Sequence, residues 1–178
     1  LHEENLWGYA VYMRFEKSGI TGGIIEEELF GKSNYERLTH ISSDDFEYSP
    51  MRVAFEQLRK MQPFDPTDPT PDFANTVHYY VFDKLKIDAE KLKFFTAVKS
   101  PLDLFHGVDG WFETGKGSNM RMVTVDVTRN TDKDTGHKAD IVFLVPNDGL
   151  DRKVDKDQFI EYSERLADEG VQFFKERQ

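Results

Sequence analysis

The spacing of apolar positions changes character near Lys93. Before it, apolar residues recur with a helical period. Met51, Ala54, Phe55 and Leu58 fall at i, i+3, i+4 and i+7, and Phe73, Val77, Val81 and Leu85 form a second stripe of the same kind. Ser49-Pro50 and Thr70-Pro71 precede these stripes as an N-cap residue followed by proline at the first helical position. GIIEEELF (23–30) also reads as helix, whereas LWGYAVYMRFE (6–16) fits either state. PFDPTDPTPDF (63–73) carries four prolines in eleven residues and is read as a linker between two helices.

After Lys93 the period shortens to two. KFFTAVK (93–99), LFHGVDGWFE (104–113), MRMVTVDVT (120–128) and KADIVFLV (138–145) are the expected strands. TGKGSN and RNTDKDTGH are the turns between the last three. A helical stripe returns at 157–176, with Phe159, Ser163, Leu166, Ala167, Gly170 and Phe174 on one side. The pattern predicts one α+β (mixed α/β) domain over 1–178. A helical lead covers 1–90, a sheet core of about four strands 91–147, and an amphipathic C-terminal helix 155–177.

One strand conflicts with its own composition. Val123, Val125 and Val127 alternate with Thr124, Asp126 and Thr128, yet Asp is among the poorest strand formers. If the turn after HGVDGWF centres near Gly117-Ser118, Asp109 lies opposite Asp126 in an antiparallel hairpin. Directly opposed side chains have Cβ atoms about 4.5–5.5 Å apart, and like charges there destabilise a sheet. One of the two then holds a proton, or both share a cation. A hard divalent ion, Mg²⁺ or Mn²⁺, resolves the conflict and leaves positions open for water and phosphate.

GVDG followed by a strand bearing D-x-T resembles the PD-(D/E)XK nuclease superfamily over roughly residues 90–145. The resemblance implies a mixed sheet flanked by helices and a restriction-endonuclease-like, metal-dependent hydrolysis of DNA phosphodiesters. Asp109 matches the first metal-binding carboxylate and Asp126 the second. Thr128 stands where the superfamily has a catalytic lysine, and a loop of about nine residues replaces the helix that usually follows the third strand. Closing RNTDKDTGH as a second hairpin sets Thr128 against Lys138 and Asp126 against Asp140. Lys138 then supplies the ammonium and Asp140 a further metal ligand. An upstream helix often adds a ligand in such enzymes, and Glu26, Glu27, Glu28 and Glu56 are candidates by type. His106 is a polar neighbour of the site. The alternative is a nuclease-like scaffold or interaction protein that has lost the lysine.

Plainer readings stand beside these. Asp109 before Gly110 fits a turn or bulge, and Asp126 on a Thr-lined face fits exposure. NTDKDTG has alternating oxygen ligands, but from Asn130 the calcium-loop positions six and twelve are Thr135 and Ile141, so it reads as a polar turn. His106-x-x-Asp109 and His137-x-x-Asp140 place their members on opposite strand faces. Gly31-Lys32-Ser33 has Glu26 where a phosphate loop needs glycine, and there is no Gly-x-Ser-x-Gly elbow. Trp111, Phe112, Phe173 and Phe174 are expected in the core. Asp148, Asp151, Asp155 and Asp157 are expected to solvate a loop and cap a helix.

Composition narrows the field further. The chain has no cysteine, which excludes disulfides and thiolate chemistry and agrees with a cytoplasmic setting. No apolar run reaches the roughly 18–20 residues of a membrane span, and no signal peptide is apparent. The first residue is Leu, which suggests a processed or truncated start. The net charge of -10 repels nucleic acid, so a DNA substrate requires a local basic cleft or a bound metal.

Overall fold

The computed structural model describes residues 20–129 and 139–178. Among them are six α-helices and one four-stranded sheet. The helices are α1 (Ile20–Phe30), α2 (Tyr35–Thr39), α3 (Met51–Leu58), α4 (Asp72–Leu85), α5 (Pro101–His106) and α6 (Lys156–Glu176). The strands are β1 (Leu92–Thr96), β2 (Gly110–Thr114), β3 (Arg121–Thr128) and β4 (Ile141–Leu144), in the order β1-β2-β3-β4. The expected α+β class holds; the ambiguous 6–16 segment and the NTDKDTG turn lie outside the described residues.

Alternation along the strands divides the core between two faces. Phe94, Phe112, Val123, Val125, Val127, Ile141 and Phe143 form one face, buried against Phe30 of α1, Phe73 and Val77 of α4, and Phe159, Leu166 and Phe174 of α6. Phe95 and Trp111 point the other way, onto Ala54, Phe55 and Leu58 of α3 and Leu102 of α5. Burying a side chain of this size contributes on the order of 1.5–3 kcal/mol, so both faces matter to stability. The helical stripes read from the sequence are the buried ones apart from Met51 and Leu85, which are partly buried, and they include Ser163 and Gly170 on α6. The expected core aromatics follow suit, with Phe173 only partly buried.

The proline-rich linker runs from α3 to α4 and closes the outer edge of β1. Phe94 donates its N–H to the Pro66 carbonyl at 2.8 Å. The Gln62 amide accepts from Thr96 N–H at 2.8 Å and donates to Thr96 O at 3.0 Å. These bonds satisfy an edge that would otherwise invite pairing with another chain.

Three expectations need correction. Residues 104–109 are not strand: Ser100 caps a helix at 101–106, Pro101 occupies its first turn, and Gly107 ends it at φ 60°. Pro50 and Pro71 are themselves the N-cap residues, their carbonyls accepting from Ala54 and Asn75. Most consequentially, β4 runs parallel to β3, so the two do not form the expected second hairpin. Val125 pairs with Ile141, Asp126 with Val142 and Thr128 with Leu144. A parallel return needs a crossover of about a dozen residues, the length that separates Thr128 from Ile141.

Candidate functional site

The β2–β3 hairpin has the register expected of a turn near Gly117-Ser118. Gly110 pairs with Val125, which puts Asp109 in line with Asp126 just beyond the last pair. Asp109 uses its backbone N–H on Val125 O at 2.9 Å, and its Oδ2 accepts from Val127 N–H at 2.7 Å. The carboxylate thus replaces a backbone acceptor at the end of the ladder and is only 2% exposed.

The carboxylates nearest Asp109 come from two helices. Asp103 sits in the first turn of α5, where Ser100 Oγ accepts its N–H at 3.4 Å and its own Oδ2 accepts from Lys99 N–H at 2.9 Å. This is a reciprocal capping arrangement displaced by one residue. Glu26 projects from α1. One oxygen from each of Glu26, Asp103 and Asp109 lies within 4.8 Å of the other two.

Electrostatics explain why this grouping is unusual. Two like charges about 4 Å apart repel by roughly 4 kcal/mol at an effective dielectric constant near 20. Burial, then the charge of Glu26, then that of Asp103, push the Asp109 carboxyl well above the usual carboxylate range. Asp103 is raised as well, first by burial, against the stabilising Lys99 N–H and a hydrogen bond with Asp109. Two carboxylates share a hydrogen bond only if a proton lies between them, and of the two Asp109 is the more strongly raised. Asp126 is 4% exposed and lies outside the 4.8 Å group. Its charge still raises both Asp103 and Asp109.

The donor set suits a hard divalent ion. It offers oxygen alone, with no sulfur and no imidazole. Opposite ligands on Mg²⁺ stand about 4.2 Å apart and on Ca²⁺ about 4.6–5.2 Å, so three oxygens within 4.8 Å can close on such an ion with small movements.

The other sequence candidates lie elsewhere. Asp140 does not face Asp126. Its Oδ2 accepts from Thr124 N–H and Oγ1 at 2.9 and 3.1 Å, and its Oδ1 is 2.5 Å from Arg177. Burial raises Asp140, but Arg177 and the Thr124 N–H outweigh it and the carboxyl lies below the ordinary value. Lys138 is outside the described residues. Glu56 is exposed on α3 and paired with Arg52 at 3.3 Å. Glu27 and Glu28 are exposed. His106 ends α5 with Nε2 2.7 Å from the Ser49 carbonyl and its ring against Tyr48. Thr128 is buried opposite Leu144. Trp111, expected in the core, is fully buried there with its indole N–H on Glu113 at 2.8 Å.

Sequence reasoning missed Asp103. Reading 104–113 as strand drew attention away from it, although Ser100-Pro101-Leu102-Asp103 is a helix-start signature in which the acid is the reciprocal capping residue. It also missed Lys99, whose positive charge favours the ionised form of Asp103 and whose backbone holds a φ of 61° beside the site.

No helix among the described residues is long and apolar enough to cross a membrane. No family model, curated protein or solved structure matches the chain.

Proposed function

We propose that Glu26, Asp103 and Asp109 bind a divalent cation, Mg²⁺ or Mn²⁺, and that the chain is a metal-dependent phosphodiesterase acting on DNA. The observation that carries this reading is the convergence of three carboxylates within 4.8 Å around a residue that is 2% exposed. A fold tolerates such repulsion when a ligand relieves it, and like-charged buried groups cluster at functional sites for that reason. Asp103 and Asp109 each commit one oxygen to a backbone N–H, which fixes their orientation. Each has a second oxygen beyond that bond.

In this reading the roles differ from those assigned by motif alone. Glu26, Asp103 and Asp109 are the ligands. Asp126 adds negative potential that favours cation occupancy. Lys99 is the cation placed to offset phosphate charge, in a region where Thr128 has none to offer. A bound divalent ion supplies activation of water and stabilisation of the leaving oxygen. It also offsets the net charge of -10 that repels a polyanionic substrate.

A second reading has its own support. The backbone bonds of Asp103 and Asp109 serve the fold with or without an ion, as expected of a nuclease-like scaffold that binds partners without catalysis. Incubating the protein with a labelled DNA in Mg²⁺, in Mn²⁺ and in EDTA separates the two. The catalytic reading expects cleavage that needs metal and is lost in Asp109→Asn and in Glu26→Gln. Metal binding without cleavage supports the scaffold; cleavage that persists in both variants, or no metal binding at all, overturns the proposed site.

A further inference from the structure

We infer that a basic cavity at the turn end of the β2–β3 hairpin, away from the carboxylate cluster, binds a phosphate-bearing ligand. The cavity is about 810 Å³ and draws on the C-cap of α3, the approach to β1 and the turn 115–119. Its volume falls within the roughly 300–1,000 Å³ of small-molecule sites. Arg59, Lys91, Lys93, Lys116 and Arg121 line it. Only Glu90 and Glu113 oppose them there. On a chain of net charge -10, five cations against two anions among the lining residues make this concavity locally basic. A concave low-dielectric wall focuses that field on a bound anion.

Ion pairing shows which cations are available. Arg59 is committed to Glu113 at 2.7 Å and Lys91 to Asp88 at 3.0 Å. Arg121 donates to the Phe174 carbonyl at 3.1 Å, so one of its nitrogens ties α6 to β3. Among the described residues, Lys93, Lys116 and Arg121 make no ion pair. Lys93 occupies the solvent-facing position of β1. Lys116 is set by a tight turn: Gly115 has φ 84°, and a Cβ there would lie 2.2 Å from the Asn119 carbonyl oxygen. Two ammonium groups and a guanidinium lining one hollow match the several oxygens of a phosphate better than a single carboxylate. The exposed Met120 side chain at the rim supplies an apolar surface for the organic part of the ligand.

The shared chemistry is phosphate, from a free nucleotide or from a nucleic-acid backbone. The inference does not depend on the metal site, and the test is run in EDTA to keep the two apart. Binding of a nucleoside triphosphate and of a labelled single-stranded oligonucleotide is measured on the wild type, on Lys93→Gln/Lys116→Gln and on Arg52→Gln, an exposed cation outside the cavity. The double variant spares Arg121 because that residue also holds α6. Binding of either probe that falls about tenfold or more in the double variant and is unchanged in Arg52→Gln supports the site. Triphosphate alone identifies a nucleotide site; the oligonucleotide alone identifies a backbone groove. In the second case the salt slope of log K also falls by about 1.4 in the double variant, from the roughly 0.7 per phosphate contact of single strands. Absence of binding by both probes, or equal binding by wild type and double variant, overturns the inference.

Discussion

Glu113 and Asp109 stand at the two ends of β2, both buried, at 7% and 2% exposure. Glu113 is met by complementary donors. Arg59 reaches its Oε1 at 2.7–2.8 Å through two nitrogens, and the Trp111 indole N–H reaches the same oxygen at 2.8 Å. Asp109 is met by Glu26 and Asp103. The first arrangement neutralises a charge where the fold buries it. The second gathers like charges and so spends stability to keep a binding geometry in place. A buried acid with an arginine beside it explains itself structurally, whereas one surrounded by other acids asks for a proton or a cation.

The largest effect is expected at the Glu113 end. Arg59→Ala leaves Glu113 buried without its cation and should cost roughly 3–5 kcal/mol, measured as a fall in the urea midpoint at unchanged m-value. A loss under about 1 kcal/mol would show that solvent around the 28%-exposed Arg59 already screens the pair and would blur the contrast.

Asp109 should respond with the opposite sign. Asparagine keeps an acceptor for Val127 N–H and a donor toward Asp103, mimicking the protonated acid. In EDTA at neutral pH, Asp109→Asn is expected to raise Tm. Adding Mn²⁺ at a hundred times its Kd should stabilise the wild type by about 2.7 kcal/mol, or roughly 5–11 °C for a chain of this size, and leave Asp109→Asn unmoved.

The pH dependence sharpens the same contrast. Asp109 binds its proton more tightly in the folded than in the unfolded state, since its folded value is raised well above the ordinary 3.8. Its contribution is fully present below that ordinary value. As pH rises toward the folded value the native state holds more protons than the unfolded one, so stability falls. The Tm advantage of Asp109→Asn in EDTA should therefore widen as pH is raised from about 4, and Mn²⁺ should abolish the trend. A pH-independent difference between variant and wild type would argue against a perturbed carboxyl.

The smallest effect is expected at Asp140. Its pair with Arg177, whose side chain is 38% exposed, joins the loop before β4 to the end of α6. Arg177→Ala should cost about 0.2–1 kcal/mol, less in high salt, without changing the metal response. A lost metal response would bring Asp140 back into the site.

How much of this was legible in the sequence follows from which interactions are local. The helical stripes, the capping of α6 by Asp155 and the hairpin register are set by period and turn length, and each is readable within a short window. The direction of β4 is not, because a twelve-residue connection serves a crossover as well as a long hairpin, and the choice rests on packing of Ile141 and Phe143 against α4 and α6. The carboxylate site was half visible for the same reason. Asp109 and Asp126 follow from the hairpin, and Glu26 was one acid among several on its helix. Asp103 required α5 to be recognised as a helix, because only the turn from Ser100 to Gly107 folds that side chain back onto Asp109.

The most direct measurement is the titration of the Asp109 side-chain carboxyl by carbon-13 NMR, in EDTA and again with Mg²⁺. A carboxyl that titrates well above 3.8 without metal, and whose apparent value drops when Mg²⁺ is added, is what a shared cation site requires. A carboxyl that titrates in the ordinary range and ignores Mg²⁺ would contradict the site and the phosphodiesterase reading together.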